Sequence, residues 1–241
     1  IDGMFSFCFF RDDILTISND IFSEKTIYYA KTKEGIYFCS EAGPLIKLLD
    51  LKISKDESIR SQFMSLGYII PPMTGFDNLF ITSQANVITI KKGLIVSNFK
   101  YYDFPKLNSY KGKIRQLEKS DIKNIKNSII ESVESRMQTD VDMGIFLSSG
   151  NDSSLIASIM KKELNINPLA LTINYEKYIS EDETSLSKKI SKYLGIEHVI
   201  EKDDSFVSSS NNLDEIINLY NDLNDNTTIL LIKKISKVAR K

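Results

Sequence analysis

Several things are scarce in this chain, and each scarcity excludes something. Cysteine occurs twice in 241 residues. Cys8 and Cys39 each lie in a strand-like apolar run, with neither the spacing of a disulfide framework nor that of a metal site. They read as buried, inert thiols, which suits a reducing, cytoplasmic setting. Histidine occurs once, as His198. With no nucleophile beside it in the sequence, it gives no case for a Ser-His-Asp triad. Neither sign of charge is in excess: 31 basic residues face 32 acidic ones, for a net charge of −1. No general basic field therefore points to nucleic acid or to an anionic membrane. No apolar run approaches the roughly 20 residues of a membrane span. The opening "IDGMFSFCFF" has no basic n-region and no small-residue cleavage site, so it does not read as a signal peptide. It also lacks an initiator Met, and the chain is read as an interior fragment. No internal repeat or low-complexity tract stands out.

What is present is ordinary for a globular protein: 42% hydrophobic and 26% charged residues. The length suits two modest domains or one large one. Residues 1–103 predict mostly antiparallel β structure. Three pairs of strand-like runs flank Arg11-Asp12-Asp13, Lys33-Glu34-Gly35 and Lys91-Lys92-Gly93, and each reads as a hairpin. Consecutive apolar positions in several of them predict strands covered on both faces. Two short helices are predicted there, one near Pro44–Leu49 and one opened by a capping box at Ser54-x-x-Glu57 and stopped before Gly67. Residues 104–116 are polar, with Pro and Gly, and read as a linker.

Beyond the linker, Ile122, Ile125, Ile129, Val133 and Met137 share one face of a helix over about 118–138. Strands then alternate with helices. "GIFL", "LALTI" and "EHVIE" read as strands. Leu155, Ile156, Ile159 and Met160 mark a helix, as do Leu186, Ile190 and Leu194, the latter opened by Ser180-x-x-Glu183 and stopped by Gly195. Two further helices are predicted near 213–220 and 227–240. The βαβαβ order predicts a parallel sheet, so 117–241 reads as α/β and the whole chain as a two-domain mixture of α+β and α/β.

The chemistry concentrates in "FLSSGNDSSL", 146–155. A strand that feeds a helix through small residues aligns several backbone N–H groups and adds the positive end of the helix dipole, which makes an anion site. Ser148, Ser153 and Ser154 can donate hydroxyl hydrogen bonds. Asp152 has the wrong sign for a phosphate and suits a Mg2+ bridging phosphate oxygens. A plain loop with Asp152 or Ser153 as N-cap is the alternative. No Lys follows Gly150 as a Walker A loop requires, and G-x-G-x-x-G is absent.

This stretch resembles the S-G-G-x-D-S-[SA] loop of the PP-loop ATP pyrophosphatases, with Ser149 at a position usually held by Gly. Further segments narrow the resemblance to glutamine-hydrolysing asparagine synthetases. "DGMFSFCFF" is similar to their D/N-G-M-F-A-F-A. "NDIFSEKTIYYA" is similar to R-D-R-x-G-x-K-P-L-Y-Y, with Asp20, Phe22, Lys25 and Tyr28 matching. "FCSEAGPLIKLL", "SLGYIIPPMTGFDNL", "TDVDMGIFLSSGNDSSLIA" and "SEDETSLSKKISKYLGIEHVI" follow the family's order, and "NDNTTILLIKKISKVARK" resembles the helix before its S-G-x-G-x-D-E strand. The resemblance is collinear over almost the whole chain.

It implies the later part of an N-terminal-nucleophile glutaminase domain over 1–103 and the first half of a Rossmann-like PP-loop domain over 117–241. It implies ATP and Mg2+ as cofactors, with Leu147, Ser148, Ser149, Gly150, Asn151, Asp152, Ser153 and Ile173 around the nucleotide, Asp152 toward the Mg2+, and Asp182, Glu183 and Asp225 in the vicinity of nucleotide or substrate. Each has a plainer alternative: strand core for Leu147 and Ile173, helix-start charge for Glu183, a loop or N-cap Asp for Asp225. His198 matches a family histidine and otherwise reads as a packed strand-end residue. No glutaminase nucleophile or glutamine-binding residue falls within 1–241. The implied reaction adenylates a carboxylate, with aspartate as first choice, and glutamine-derived ammonia displaces AMP. Neither nucleic acid nor membrane is an implied partner, and a homodimer is left open. The alternatives are a related β-lactam, lasso-peptide or surface-polysaccharide amidotransferase, or a non-catalytic binding module.

Overall fold

The computed structural model describes residues 3–105, 116–174, 183–202, 210–226 and 228–240. The chain divides into two compact units, one made of 1–111 with 210–227 and the other of 112–209 with 228–241. Most of the predicted linker, residues 106–115, lies outside the described residues.

In the first unit, β1 (Ser6–Arg11), β2 (Ile14–Asn19), β6 (Asn86–Lys91) and β7 (Leu94–Lys100) form an antiparallel sheet in the order β1-β2-β6-β7. A second antiparallel sheet runs β4-β3-β5, from β3 (Tyr28–Lys31), β4 (Ile36–Cys39) and β5 (Leu79–Ile81). The three predicted hairpins are all present. Asp12 and Asp13 at the first turn, and Lys92 with Gly93 at the third, take the positive φ that tight hairpin turns demand. The two sheets meet through Ile17 and Ile88 on one side and Ile27 and Tyr29 on the other. The opposite face of the second sheet packs on α1 (Ala42–Leu49) through Ala30, Ala42, Leu45 and Leu79.

Three expectations are corrected here. The helix α2 (Glu57–Leu66) is capped by Asp56, whose carboxylate accepts the Ser58 N–H at 2.8 Å, and the Ser54 hydroxyl takes the Asp56 N–H one turn earlier. Gly67 closes the helix at φ 77°, as its position predicted. Cys8 is exposed and Cys39 half-exposed, so Cys8 is no buried thiol. Cys8 stands opposite Ile17 and shares its face, but β1 is an edge strand and no β1 side chain joins the buried cluster. The same uncovered edge leaves Phe9 and Phe10 in solvent, against the expectation of strands covered on both faces.

Residues 210–227 also belong to this unit. The Asp222 carboxylate after α6 (Ser210–Tyr220) accepts the Gly75 N–H at 2.8 Å, and Tyr68 pairs with Asn224 in an isolated bridge.

The second unit holds a parallel sheet in the order β10-β9-β8, from β8 (Gly144–Phe146), β9 (Leu169–Asn174) and β10 (His198–Lys202). Its core joins Ile145 and Leu147 to Ala157 and Met160 of α4 (Asn151–Lys162), with Ala170, Leu194 and Ile196. Leu194 ends α5 (Glu183–Leu194), and α7 (Thr228–Ala239) lies against β9. Leu155 and Ile156 of α4 remain exposed, and no residue of α3 (Lys119–Glu134) is buried. The apolar stripe of α3 instead lines a groove with Leu155 and Ile159. No helix among the described residues is long and apolar enough to cross a membrane.

Candidate nucleotide-binding loop

Parallel pairing brings the carboxyl ends of β8 and β9 to the same edge of the sheet, where ligands of open α/β sheets bind. Leu147 extends β8 by one residue, since its N–H donates to the Leu171 carbonyl at 2.9 Å. The Thr172 hydroxyl donates to the Leu147 carbonyl. Both groups are buried, so the chain leaves the sheet from a fixed point. Ser148, Ser149 and Gly150 then turn it into α4.

Gly150 is the N-cap, at φ −70° and ψ 151°. The alternative that Asp152 or Ser153 caps the helix is thereby corrected: they are the second and third helical residues. Gly150 sits in extended backbone open to any residue. Its space is tighter than its conformation, because a Cβ there would lie 3.1 Å from the Ser148 Oγ.

The serines form an internal brace. Ser153 Oγ accepts the Ser148 N–H at 3.2 Å and lies 3.0 Å from Ser148 Oγ. Ser148 Oγ in turn accepts the Gly150 N–H at 3.1 Å, and Ser154 Oγ donates to the Gly150 carbonyl at 2.8 Å. The N–H groups of Ser149, Asn151, Asp152 and Ser153 have no acceptor among the described residues. They lie at the positive end of a helix of 12 residues, with Lys161 and Lys162 at the far end. An oxyanion placed there would meet unused donors.

Asp152 lies in the first turn, exposed, with no ion pair or hydrogen bond among the described residues. Among the described residues no three His, Cys, Asp or Glu side chains gather as a metal cage. A single free carboxylate suits Mg2+, which is usually held by one or two carboxylates together with substrate phosphates.

The other predicted residues are placed as follows. Ile173 follows Thr172 on β9, half-buried. Asp182 and the side chain of Glu183 lie outside the described residues, as does the predicted Ser180 capping box. Asp225 belongs to the first unit and Asp152 to the second. The Asp225 N–H donates to the Gly67 carbonyl at 3.0 Å, and its carboxylate rests where a Cβ on Gly67 would be.

The comparisons with known proteins fall on this ground. Residues 124–239 match the asparagine synthase family model. These residues resemble an asparagine synthase domain. The chain is 27% identical to glutamine-hydrolysing asparagine synthetase 1 of Bacillus subtilis over 202 residues, covering 82% of this chain and 30% of that protein. It is 27% identical over 206 residues to a second glutamine-hydrolysing asparagine synthetase homologue, from Methanocaldococcus jannaschii, covering 82% of this chain and 38% of that protein. The mouse enzyme of the same name is 23% identical over 207 residues, covering 82% of this chain and 35% of that protein. The chain thus spans about a third of the length of these relatives. The β8–α4 loop lies inside the stretch that matches the family model.

Three residues behind the loop were not read as a site. Thr172, Ser191 and His198 are joined by side-chain hydrogen bonds. Ser191 reaches His198 across the short turn from α5 to β10, whereas Thr172 meets His198 only because β9 pairs with β10, which no local sequence spacing encodes.

Proposed function

We propose that the chain contributes the nucleotide-binding loop of an ATP-dependent, asparagine-synthetase-type ligase. One observation carries the reading. Four N–H groups at the head of α4, without an acceptor among the described residues, lie at the carboxyl edge of a parallel sheet, inside the stretch that matches the asparagine synthase model.

In the proposed reaction a carboxylate oxygen of the acceptor attacks the α-phosphorus of ATP. The bond to the bridging oxygen breaks, and pyrophosphate departs with the electron pair. Ammonia then attacks the carbonyl carbon of the acyl-adenylate, loses a proton, and expels AMP. The amides of Ser149, Asn151, Asp152 and Ser153 hold the departing phosphates, where charge grows in the transition state. Asp152 is the residue that would hold Mg2+, which would supply positive charge to the pyrophosphate leaving group. Leu147 and Ile173 border the adenosine with their backbones. The acceptor is aspartate, in keeping with the names of the relatives, and its ammonia comes from glutamine.

ATP–pyrophosphate exchange tests the proposal. Exchange that depends on aspartate and Mg2+, and is lost in Asp152→Ala, is the expected result. The loss of one first-turn charge costs the helix only about 0.3–1 kcal/mol, so the variant stays folded. Wild-type exchange in folded Asp152→Ala rules out the carboxylate as the Mg2+ holder, and exchange driven by another carboxylate and not by aspartate rules out the acceptor.

A further inference from the structure

The hydrogen bonds behind the loop can be assigned a direction. The Thr172 hydroxyl has one hydrogen and gives it to the Leu147 carbonyl. Toward His198 Nε2, 2.8 Å away, Thr172 must therefore accept, so Nε2 carries a proton. On the other side of the ring, Nδ1 lies 2.9 Å from Ser191 Oγ. Burial, and then the nearby charge of Lys188, hold the ring pKa below its ordinary value, so the ring is neutral at pH 7 and Nδ1 is an acceptor. Ser191 then gives its hydrogen to Nδ1. The Lys188 carbonyl, 3.0 Å away, also lies within reach of that hydroxyl, but it already has a helical N–H partner inside α5, whereas Nδ1 has no other donor among the described residues. The result is one directed chain, from Ser191 to His198 to Thr172 to the Leu147 carbonyl.

The chain ends on a peptide that is held from both sides. Thr172 fixes the carbonyl of Leu147, and Ser153 Oγ accepts the N–H of Ser148 across the same peptide plane. That plane is the first of the loop. Its orientation sets where the next amides aim. If the Thr172 anchor is lost, the peptide can turn, which takes Ser148 N–H off Ser153 and loosens the brace that shapes the loop.

We infer that His198 is a positioning residue, which through Thr172 fixes the Leu147–Ser148 peptide and thereby aims the free loop amides at a bound triphosphate. This rests on the nucleotide reading of the loop. His198 does not touch the ligand in this account.

The single histidine makes the chain directly observable, because one imidazole gives one pair of ring nitrogens. A long-range proton–nitrogen spectrum of the chain near pH 7 is expected to show a protonated Nε2 and an unprotonated Nδ1. The opposite tautomer overturns the assignment, and so does rapid averaging between the two. Thr172→Val keeps the side-chain shape and removes the hydroxyl. It is expected to shift the amide resonances of Ser148 to Ser153 and to weaken ATP–Mg2+ binding by about threefold to tenfold. Thr172→Ser, which restores a hydroxyl, recovers the lost affinity. A folded Thr172→Val chain with unmoved loop amides and wild-type affinity overturns the proposal. If Thr172→Val does not fold, the ring-nitrogen pattern of the wild-type chain still decides the relay. If the wild-type chain binds no ATP, the nucleotide reading fails, and the Ser148 to Ser153 amide shifts of a folded His198→Ala chain decide by themselves whether His198 positions the loop: moved amides support it, and unmoved amides overturn it.

Discussion

Ser153 Oγ lies 3.2 Å from the backbone nitrogen of Ser148 and 3.0 Å from the Ser148 hydroxyl. Two side chains five positions apart thus pin the loop before any ligand arrives. Pre-organised donors need no reorientation on binding. Ser153→Ala removes the acceptor of the Ser148 N–H while keeping the Ser153 backbone N–H that is proposed to bind. The expected outcome is a fold stability within about 1 kcal/mol of wild type, since the side chain is only half-buried and its hydrogen bonds are open to water. ATP–Mg2+ affinity should fall several-fold, read by calorimetry. Unchanged affinity would mean the loop keeps its shape without the brace.

Gly150 calls for a different substitution logic. Its extended φ admits any side chain, so Gly150→Val should fold. The new Cβ meets Ser148 Oγ at 3.1 Å. That oxygen accepts the Gly150 N–H, so the valine displaces the acceptor and turns Ser148 away. The branched side chain also crowds the space in front of the free amides. One lost charge-assisted bond to phosphate is worth roughly 1.5–3 kcal/mol, about a tenfold to hundredfold loss of ATP affinity. Ser149→Gly, by contrast, keeps the backbone N–H and should bind at least as tightly as wild type. Equal ATP affinity of Gly150→Val and wild type would make 146–155 a plain strand-to-helix turn.

The limits of legibility in the sequence follow from physics. Hairpins were readable because Asp12-Asp13 and Lys92-Gly93 encode their turns locally. The β8–α4 loop was readable because its composition changes abruptly between two periodic segments. The exposure of Cys8 was not, because it depends on β1 being the edge of a sheet completed by β6 and β7, some 80 residues away. The cap of α2 shifted by two residues because Ser54 and Asp56 compete for the role, and the carboxylate is the stronger acceptor. The His198 relay needs three strands in register, and no window of sequence contains them.

Asp20 is expected to carry much of the local order of the first unit. It is buried, and its two oxygens accept the N–H groups of Phe22 and Glu24 at 3.0 Å each, Lys25 at 2.9 Å and Phe5 at 3.3 Å. Burial alone would raise its pKa, but those four backbone donors together hold it below its ordinary value of 3.8. The folded state therefore binds the proton less readily than the unfolded one. The stabilisation is complete above the ordinary carboxylate range and is lost as pH falls through the lowered value. Asp20→Ala should cost about 2–4 kcal/mol in urea unfolding at pH 7, because it orphans buried donors. It should also flatten the acid limb of the stability curve. A variant with wild-type stability would show that water replaces the carboxylate.

Asp222 presents the opposite case. Burial raises its pKa against the two N–H groups that lower it, from Leu223 and Gly75. Its charge, after burial and together with that of Glu41, helps push Tyr28 up to about 12. A carboxyl whose folded pKa is raised contributes stability below the unfolded value and loses it as pH rises through the folded one. At neutral pH the ionised group is therefore a burden. Asp222→Asn keeps an oxygen for Gly75 and Leu223 and removes the charge. Its stability at pH 7 should lie within about 1 kcal/mol of wild type, on the stabilising side, and the gap should close as pH falls below the carboxylate range. The Tyr28 phenol should titrate lower than in wild type, yet still above 10.0, since burial is the larger cause. Thermal melts across pH and a tyrosine ring titration read both effects. Destabilisation of Asp222→Asn at pH 7 that persists at pH 3 would show that the carboxylate geometry, and not its charge, holds Gly75.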